Sequence, residues 1–256
     1  MPSYPELRDK VAIVTGGNTG IGEAVARRLA VEGAAVVVGG SHRPRDTERV
    51  ASEICAAGGR AMPGVADLIH GAEAERLVRE TVERFGPVDL LVNSAGGFPA
   101  RRLLVETDES EWDWIMAVNL KSAFLMCKAV LPSMIERRYG RIVSLSSEAG
   151  RMPVAQTAAH YAASKAGLLG MTRHLAREVA PYGVTVNATA PATTYSPRVR
   201  GIVSAPGVEE RMISVTPIGR IAEIEEQVGA VLFLLSDDAS YITGATLDVA
   251  GGKVML

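Results

Sequence analysis

The sequence predicts one doubly wound α/β domain built on a sheet of about seven parallel strands, with helices on both faces. Three observations support this fold class. Short β-branched runs alternate with longer stretches of helical periodicity, which is typical of β-α-β units. The runs are almost wholly apolar, as strands are when a parallel sheet is covered on both faces. No repeat, low-complexity tract or linker divides the 256 residues, so we expect residues 1–256 to form a single domain.

Seven runs supply the strands. In chain order they are residues 11–14, 35–38, 60–65, 90–92, 142–145, 184–187 and 246–249. Between the first two, Ile21, Val25 and Leu29 lie four apart on one face of a helix predicted over residues 21–30. A second helical pattern covers residues 168–179. Ligands of such sheets bind beyond the carboxyl ends of the strands, so polar residues that directly follow a strand are the candidate site residues.

Composition excludes several classes of protein. The net charge of −2 provides no field to attract nucleic acid or an anionic membrane. The N-terminus has no signal-peptide core, and no apolar run approaches the roughly 18 residues of a membrane span. We therefore expect a soluble cytoplasmic protein that has neither nucleic-acid nor membrane partners.

The cysteines and histidines predict no metal site. Cys55 and Cys127 form no CxxC pattern, and we expect two reduced, partly buried thiols. The histidines show no metal-ligand spacing with one another or with cysteine. They are His42, His70, His160 and His174.

A glycine-rich turn follows the first predicted strand and leads into the first helix. Its glycines, Gly16, Gly20 and Gly22, have GxxxGxG spacing rather than the GxGxxG of the commonest dinucleotide fingerprint. Glycines at this turn let the backbone approach a pyrophosphate, and the helix N-terminus presents N–H groups to its charge. A tight turn with a purely structural role is the alternative.

The loop after the second strand bears on the choice of cofactor. NAD-binding proteins commonly place an Asp or Glu about twenty residues after the glycine loop, where it holds the ribose 2′-hydroxyl. Here the segment contains no carboxylate, and Ser41, Arg43 and Arg45 offer a hydroxyl and two guanidinium groups suited to a 2′-phosphate. The loop therefore favours NADP(H) over NAD(H), with solvated loop charges as the alternative.

Tyr161 and Lys165 are spaced to share one face of a helix, about one turn apart. A free tyrosine has a pKa near 10 and is a poor base at neutral pH. An adjacent ammonium stabilises the phenolate and lowers that pKa, which is the effect we expect of Lys165. Ser147 lies just upstream, at the end of the fifth predicted strand. The three side chains are candidates for proton transfer at one site.

Together these motifs resemble the short-chain dehydrogenase/reductase family, over essentially the whole chain and in the same order. Residues 15–22 match the family's TGxxxGIG, and residues 93–96 match NNAG with one substitution. Ser147, Tyr161 and Lys165 match the catalytic Ser and the Tyr/Lys pair. Further matches are Asp67, Asn119, Pro191, Pro217, Gly219, Arg220 and residues 240–244. The resemblance implies a Rossmann-type fold and an oxidoreductase similar to members that reduce 3-oxoacyl thioesters.

The resemblance also implies roles for individual residues. Tyr161 would exchange a proton with the substrate oxygen, Ser147 would hydrogen-bond that oxygen, and Lys165 would hold the nicotinamide ribose. Asn119 would bind a water that links Lys165 to solvent. The implied cofactor-binding residues are Gly16, Asn18, Thr19, Gly20, Ile21, Gly22, Ser41, His42, Arg43, Asp67, Leu68, Asn93, Ala95, Gly96, Tyr161, Lys165, Pro191 and Thr194.

Three features depart from the family pattern. Ser94 replaces the second Asn of NNAG, and Ala192 replaces the Gly that follows Pro191. The interval between Ser147 and Tyr161 is one residue longer than in many members. None of these departures removes a catalytic group.

Four further side chains have roles that the resemblance does not fix. Glu148 and His160 flank catalytic positions. We expect them to face solvent or lie behind the site, with contact to substrate as the alternative. Trp112 and Trp114 are expected to pack helices and to contribute a subunit contact rather than to stack on a ligand.

Residues 193–215 resemble the lid that closes over substrate in this family. The segment mixes apolar side chains with Arg198 and Arg200 and identifies no substrate. The resemblance also implies a homotetramer. We therefore hypothesise an NADP(H)-dependent carbonyl reductase. Its rivals are an NAD(H)-dependent alcohol or sugar dehydrogenase and a cofactor-binding regulator without turnover.

Overall fold

The computed structural model describes residues 3–98, 101–155 and 157–255, and these contain one sheet of seven parallel strands in the order β3-β2-β1-β4-β5-β6-β7. The strands are β1 Val11–Thr15, β2 Ala35–Gly40, β3 Arg60–Val65, β4 Leu90–Asn93, β5 Gly140–Leu145, β6 Val184–Pro191 and β7 Thr246–Val249. Each predicted run lies in one of these strands. The predicted fold class is therefore confirmed.

Helices cover both faces of the sheet. They are α1 Gly20–Val31, α2 Pro44–Ala56, α3 Gly71–Phe85, α4 Glu109–Met116, α5 Ser122–Arg137, α6 Ala159–Val179, α7 Pro197–Val203, α8 Val208–Ser214 and α9 Ile224–Leu235. Neighbouring residues of β2 pack on opposite layers: Val36 and Val38 with α1 and α9, and Val37 with α3 and α5. Because both faces are buried, the strands have no polar side, which explains their unbroken apolar runs.

The strand order reverses between β1 and β4, where Thr15 lies beside Asn93. From this point the chain winds outward, to β2 and β3 on one side and to β5, β6 and β7 on the other. The loops that leave β1 and β4 therefore diverge and open a crevice beyond the carboxyl ends of the strands. Crevices of this kind are where open α/β sheets bind their ligands.

One helical stretch corrects an expectation from the sequence. A π-helical turn, Ala117–Lys121, joins α4 and α5 into a continuous stretch, Glu109–Arg137, that is long and apolar enough to cross a membrane by length and composition. Core helices of soluble proteins meet the same criterion. In this fold Met126 and Met134 are wholly buried against the sheet. The expectation that no segment approaches the dimensions of a membrane span was wrong for this stretch.

The two cysteines differ in their surroundings. Cys127 is buried in the core layer beside α3, whereas Cys55 on α2 is exposed. The expectation of two partly buried thiols was therefore wrong for Cys55. Among the described residues no three His, Cys, Asp or Glu side chains come together as a metal site.

Candidate active site

A cleft of about 610 Å³ lies beyond the carboxyl ends of the strands, across the point where their order reverses. Its wall is formed by the loops that follow β1 to β6 and by α7 and α8. Of the predicted catalytic residues, all four line it: Asn119, Ser147, Tyr161 and Lys165. Of the remaining predicted cofactor residues, Gly16, Asn18, Thr19, Ile21, Gly22, Ser41, His42, Arg43, Asp67, Leu68, Ala95, Gly96, Pro191 and Thr194 line it as well. A volume of this size is typical of cofactor and substrate sites.

The glycine loop is packed against the end of β4. Gly16 has φ +63°, and a Cβ there would lie 2.9 Å from the Ala95 nitrogen. The Thr15 hydroxyl accepts hydrogen bonds from the Ser94 and Ala95 N–H groups at 3.1 and 3.0 Å. Gly20 also has positive φ, but a Cβ there would meet only the Ser196 side chain, at 3.9 Å. Close packing explains Gly16, and backbone conformation explains Gly20.

Two predicted cofactor residues, Gly20 and Asn93, do not line the cleft within the described residues. Asn93 is buried at the end of β4, and its amide donates a hydrogen bond to the Ser144 hydroxyl on β5 at 3.2 Å. It therefore braces two strands beneath the cleft floor.

The loop after β2 forms the far end of the cleft. Ser41, His42 and Arg43 line it, but Arg45, on α2, does not line it in the described structure. Arg45, the second guanidinium that the sequence offered for a 2′-phosphate, lies in the first turn of α2, which begins at Pro44. The Arg43 side chain is 67% exposed and lies 3.9 Å from the Asp46 carboxylate. Asn18 donates to the Thr47 hydroxyl at 3.2 Å, which ties this loop to the glycine loop.

Asn119 occupies the π-helical turn between α4 and α5. Its amide nitrogen donates to the Gly97 and Ile115 carbonyls at 2.9 and 3.0 Å, and its carbonyl accepts from the Gly97 N–H at 3.1 Å. These bonds hold the loop after β4 against the helix. A single π turn frequently marks a functional site, and no sequence pattern indicated this one.

Lys165 is buried beside the end of β5. Its ammonium donates to the Leu145 carbonyl at 2.8 Å, and the Ser146 hydroxyl donates to the Lys165 carbonyl at 2.9 Å. Burial disfavours the charged form and lowers the pKa of Lys165 to about 8. An ammonium has three donors, so it retains capacity toward the cleft that it lines.

Tyr161 is carried by α6 to a position beside Ser147 at the end of β5. The Ser147 hydroxyl accepts from the Ala149 N–H at 3.2 Å and is hydrogen-bonded to Tyr161. Burial raises the pKa of Tyr161, while the Ser147 hydrogen bond and the charge of Arg198 oppose that rise and Glu148 adds to it. The expectation that Lys165 lowers the pKa of Tyr161 was therefore wrong: burial is the largest influence, and Lys165 is not among the groups that shift this pKa. The Lys165 nitrogen lies 5.8 Å from the Tyr161 ring centroid.

The residues that flank the catalytic positions differ from one another. Glu148 is buried, lines the cleft and forms an ion pair with Lys253 at 2.8 Å. His160 is completely buried, and its Nε2 lies 3.2 Å from the Glu111 carboxylate. His160 thus lies behind the site as expected, whereas Glu148 faces it.

Trp114 corrects a second expectation. Its ring lies against Gly97, where a Cβ would come within 2.9 Å of the indole, and it lines the cleft. The expectation that Trp114 serves only in helix packing and a subunit contact was therefore wrong, because the side chain also lines the cleft. Trp112 is 36% exposed and is not among the described cleft residues.

Sequence reasoning did not assign several cleft residues to the site, among them Phe98 and Ser196, and it named Arg198 only as a member of the lid segment. The Phe98 ring centroid lies 5.1 Å from that of Tyr161, and the guanidinium carbon of Arg198 lies 5.1 Å from the Phe98 centroid. Phe98 could have been found, because it follows the predicted strand 90–92 closely. Ser196 and Arg198 lie in a segment with no strand or helix pattern to place them.

Known proteins match the chain over nearly its whole length. A family model described as "Enoyl-(Acyl carrier protein) reductase" matches residues 16–253. The 3-oxoacyl-[acyl-carrier-protein] reductase of Staphylococcus epidermidis is 38% identical over 247 residues, which cover 96% of this chain and 100% of that protein. The likeness therefore extends well beyond the glycine loop.

Solved structures agree. A 3-oxoacyl-[acyl-carrier protein] reductase from Brucella melitensis superposes with a TM-score of 0.93 at 34% identity, covering 99% of this chain and 94% of that one. A second 3-oxoacyl-[acyl-carrier protein] reductase from the same organism, described with bound NAD, has a TM-score of 0.90 at 32% identity and the same coverage.

Proposed function

The chain belongs to the short-chain dehydrogenase/reductase family and is an oxidoreductase that uses a nicotinamide cofactor, and we propose that it reduces a small-molecule carbonyl group with NADP(H). One observation carries the proposal. The end of β5 and one face of α6 bring Ser147, Tyr161 and Lys165 to the floor of a single cleft. A phenol, a hydroxyl that is hydrogen-bonded to it and a buried ammonium form a proton-transfer site.

The chain's own residues fit the cofactor. The buried Lys165 ammonium has unused donors and no carboxylate partner in the described residues, which suits it to ribose hydroxyls. The glycine loop lines the cleft at Gly16 and Gly22, where the absence of a side chain lets a pyrophosphate approach the backbone. When bound, the cofactor supplies the hydride, and the protein supplies orientation and electrostatics.

The protonation of Tyr161 favours reduction. A tyrosine with its ordinary pKa near 10 is protonated at neutral pH, and burial raises the pKa of Tyr161 further in the same direction. A protonated phenol is the form that donates a proton to a carbonyl oxygen as hydride reaches the carbon. Ser147 would donate its hydrogen bond to the same oxygen. Oxidation of an alcohol needs the phenolate and would therefore require higher pH.

Asn119 would act mainly by position. Both hydrogens of its amide are used by the Gly97 and Ile115 carbonyls. We propose that it holds the loop after β4 beside the nicotinamide, and that a water linking Lys165 to solvent relies on its remaining acceptor capacity.

The proposed cofactor preference rests on Arg43, since Arg45 is not among the described cleft residues. A second candidate is an NAD(H)-dependent alcohol or sugar dehydrogenase. The neighbouring Brucella structure with bound NAD favours it, as does the nearby Asp46, which partly neutralises Arg43. A regulator without turnover is disfavoured by the complete set of proton-transfer groups.

We further propose that residues 193–215 form a lid. This segment contains α7 and α8, and it supplies Ile202 and Met212 to the cleft wall. We also propose a cytoplasmic homotetramer, to which the partly exposed Trp112 and Phe124 of the Glu109–Arg137 stretch would contribute apolar contact. The lid, the location and the assembly remain proposals.

Turnover of Tyr161→Phe tests the function. Purified protein is supplied with NADPH and a panel of ketones and 3-oxoacyl thioesters, and the loss of NADPH is followed. We expect Tyr161→Phe to lower kcat by about 10²–10⁴-fold while leaving the NADPH Kd unchanged. Tyr241→Phe, on a fully exposed side chain, is the matched control and should match the parent. Undiminished turnover by Tyr161→Phe would contradict the proposal.

A further inference from the structure

Arg198 places a positive charge at the substrate end of the cleft. It lies on α7, lines the cleft, and stacks over Phe98, which in turn packs against Tyr161. The guanidinium carbon of Arg198 lies 5.1 Å from the Phe98 ring centroid, and that centroid lies 5.1 Å from the centroid of the Tyr161 ring. Its charge lowers the pKa of Tyr161 in part, which is a second sign that the two groups are close.

The carboxylates near this end of the cleft already have partners. Glu148 is paired with Lys253 at 2.8 Å. Glu111 lies 3.0 Å from Arg102 and 3.2 Å from His160. Each acid therefore faces a cationic or hydrogen-bonding partner other than Arg198.

The neighbouring arginine on α7 is paired as well. Arg200 lies 3.3 Å from the Glu223 carboxylate and over the Tyr195 ring. Arg198, by contrast, contacts no carboxylate within the described part of the chain. At the substrate end of the cleft, the guanidinium of Arg198 therefore contacts the Phe98 ring rather than a carboxylate.

We propose that Arg198 binds a carboxylate on the substrate, so that the enzyme acts on oxo acids in which a few bonds separate the carboxylate from the reacting carbonyl. A guanidinium presents two parallel N–H donors that match a carboxylate, and stacking on Phe98 limits its orientations. Apolar Val199, Ile202 and Met212 line the same end and would contact the carbon chain. This inference rests on the proposed function.

The reaction is balanced without a further reactant. Hydride adds to the carbonyl carbon, the oxygen takes the proton of Tyr161, and the product is the hydroxy acid. The carboxylate bound by Arg198 is unchanged. Tyr161 regains its proton from solvent.

Matched substrate pairs test the inference. Initial rates of NADPH-dependent reduction are measured for 3-oxo, 4-oxo and 5-oxo carboxylates and for the methyl ester of each. The two members of a pair share the carbonyl and differ in charge. In the parent enzyme we expect kcat/KM for at least one carboxylate to exceed that of its ester by at least about tenfold, mainly through KM, since a charge-assisted contact is lost with the ester.

Two variants locate the effect. Arg198→Gln should reduce the preference to near unity, because kcat/KM for the carboxylate falls much further than kcat/KM for its ester, and the NADPH Kd is measured for the same variant. Arg200→Gln changes the adjacent arginine of the same helix, whose partner is Glu223, and should keep the preference. A preference that survives Arg198→Gln overturns the inference. So does a loss of NADPH affinity that accounts for the whole effect, because Arg198 would then bind the cofactor.

The remaining outcomes separate the inference from the proposed function. Reduction of neutral ketones or thioesters, together with esters that equal or exceed their carboxylates at every chain length, overturns the inference alone. Failure of every carbonyl compound overturns both.

Discussion

The floor and the rim of the cleft are built differently. On the floor, Lys165 is buried and bonded to the Leu145 carbonyl, and Asn119 is held by three hydrogen bonds. On the rim, Arg43 is 67% exposed, and Arg198 touches an aromatic ring but no acid among the described residues. The protein thus holds the proposed proton-transfer groups with its own backbone, whereas the two arginines proposed to select ligands are held less firmly: one is largely exposed, and the other has no acid partner among the described residues. Changes on the floor should affect the rate for every substrate, and changes on the rim should affect selectivity.

After Tyr161→Phe, Lys165→Met is the floor variant expected to have the largest effect. Loss of the ammonium removes the group proposed to hold the nicotinamide ribose and to favour the phenolate. We expect kcat/KM to fall by about 10²-fold or more and the NADPH Kd to rise, because both binding and proton transfer are affected. Lys128→Met, on an exposed part of α5, is the control and should leave both unchanged. Undisturbed NADPH binding would contradict the ribose role.

The same variant should not destabilise the fold. The pKa of Lys165 is lowered from 10.5 to about 8, so at neutral pH a charged group is held buried at a cost of up to about 3 kcal/mol. Between pH 8 and 10.5 the unfolded lysine keeps its proton while the folded one loses it, so the free energy of unfolding rises with pH.

Lys165→Met removes the cost of the buried charge, and it removes the increase of the free energy of unfolding with pH. The gain is offset by about 1–3 kcal/mol, because the Leu145 carbonyl loses its hydrogen-bond donor. Urea unfolding at pH 7 and pH 9.5 checks both statements. A large loss of stability at pH 7 would show that the ammonium is a structural group.

The contrast also explains what the sequence could predict. The floor was predictable because strand ends and helix spacing fix where side chains lie. Ser147 follows an apolar strand, and a spacing of four residues places Tyr161 and Lys165 on the same face of one helix. The π turn around Asn119 was not, because it depends on packing between helices. Arg198 was not, because a segment of two short helices has no periodicity that relates it to Phe98. The pKa of Tyr161 was wrongly expected to fall, since sequence spacing contains no information on burial.

Arg43→Gln tests the rim at the opposite end from Arg198. If Arg43 binds the 2′-phosphate, we expect the NADPH Kd to rise about tenfold, or about 1.4 kcal/mol, with the NADH Kd unchanged. Fluorescence titration with both cofactors measures it. Arg45→Gln is a closely matched control, because Arg45 lies two residues away and outside the described cleft. Equal weakening of NADPH and NADH, or a parent that binds NADH at least as well, would favour the NAD(H)-dependent alternative.

Lys253→Met should have the smallest effect and tests how far the floor depends on its surroundings. Lys253 neutralises the buried Glu148, whose charge raises the pKa of Tyr161. Without Lys253 that charge is uncompensated, so the pKa of Tyr161 should rise further. The alkaline limb of alcohol oxidation should then move to higher pH by about half a unit, with carbonyl reduction at neutral pH nearly unchanged.

The double variant Glu148→Gln, Lys253→Met isolates the electrostatic cause, because both charges are absent and the packing of Lys253 is lost as in the single variant. In the double variant the alkaline limb of alcohol oxidation should lie at the pH of the parent or at a lower pH, since the Glu148 charge that raises the Tyr161 pKa is gone. A profile that remains shifted would mean that Lys253 acts through the packing of the C-terminal segment. A single variant with no shift would mean that removal of the Lys253 charge does not change the electrostatic environment of Tyr161. Either result would show that the proton-transfer group is insulated from charges at the edge of the floor.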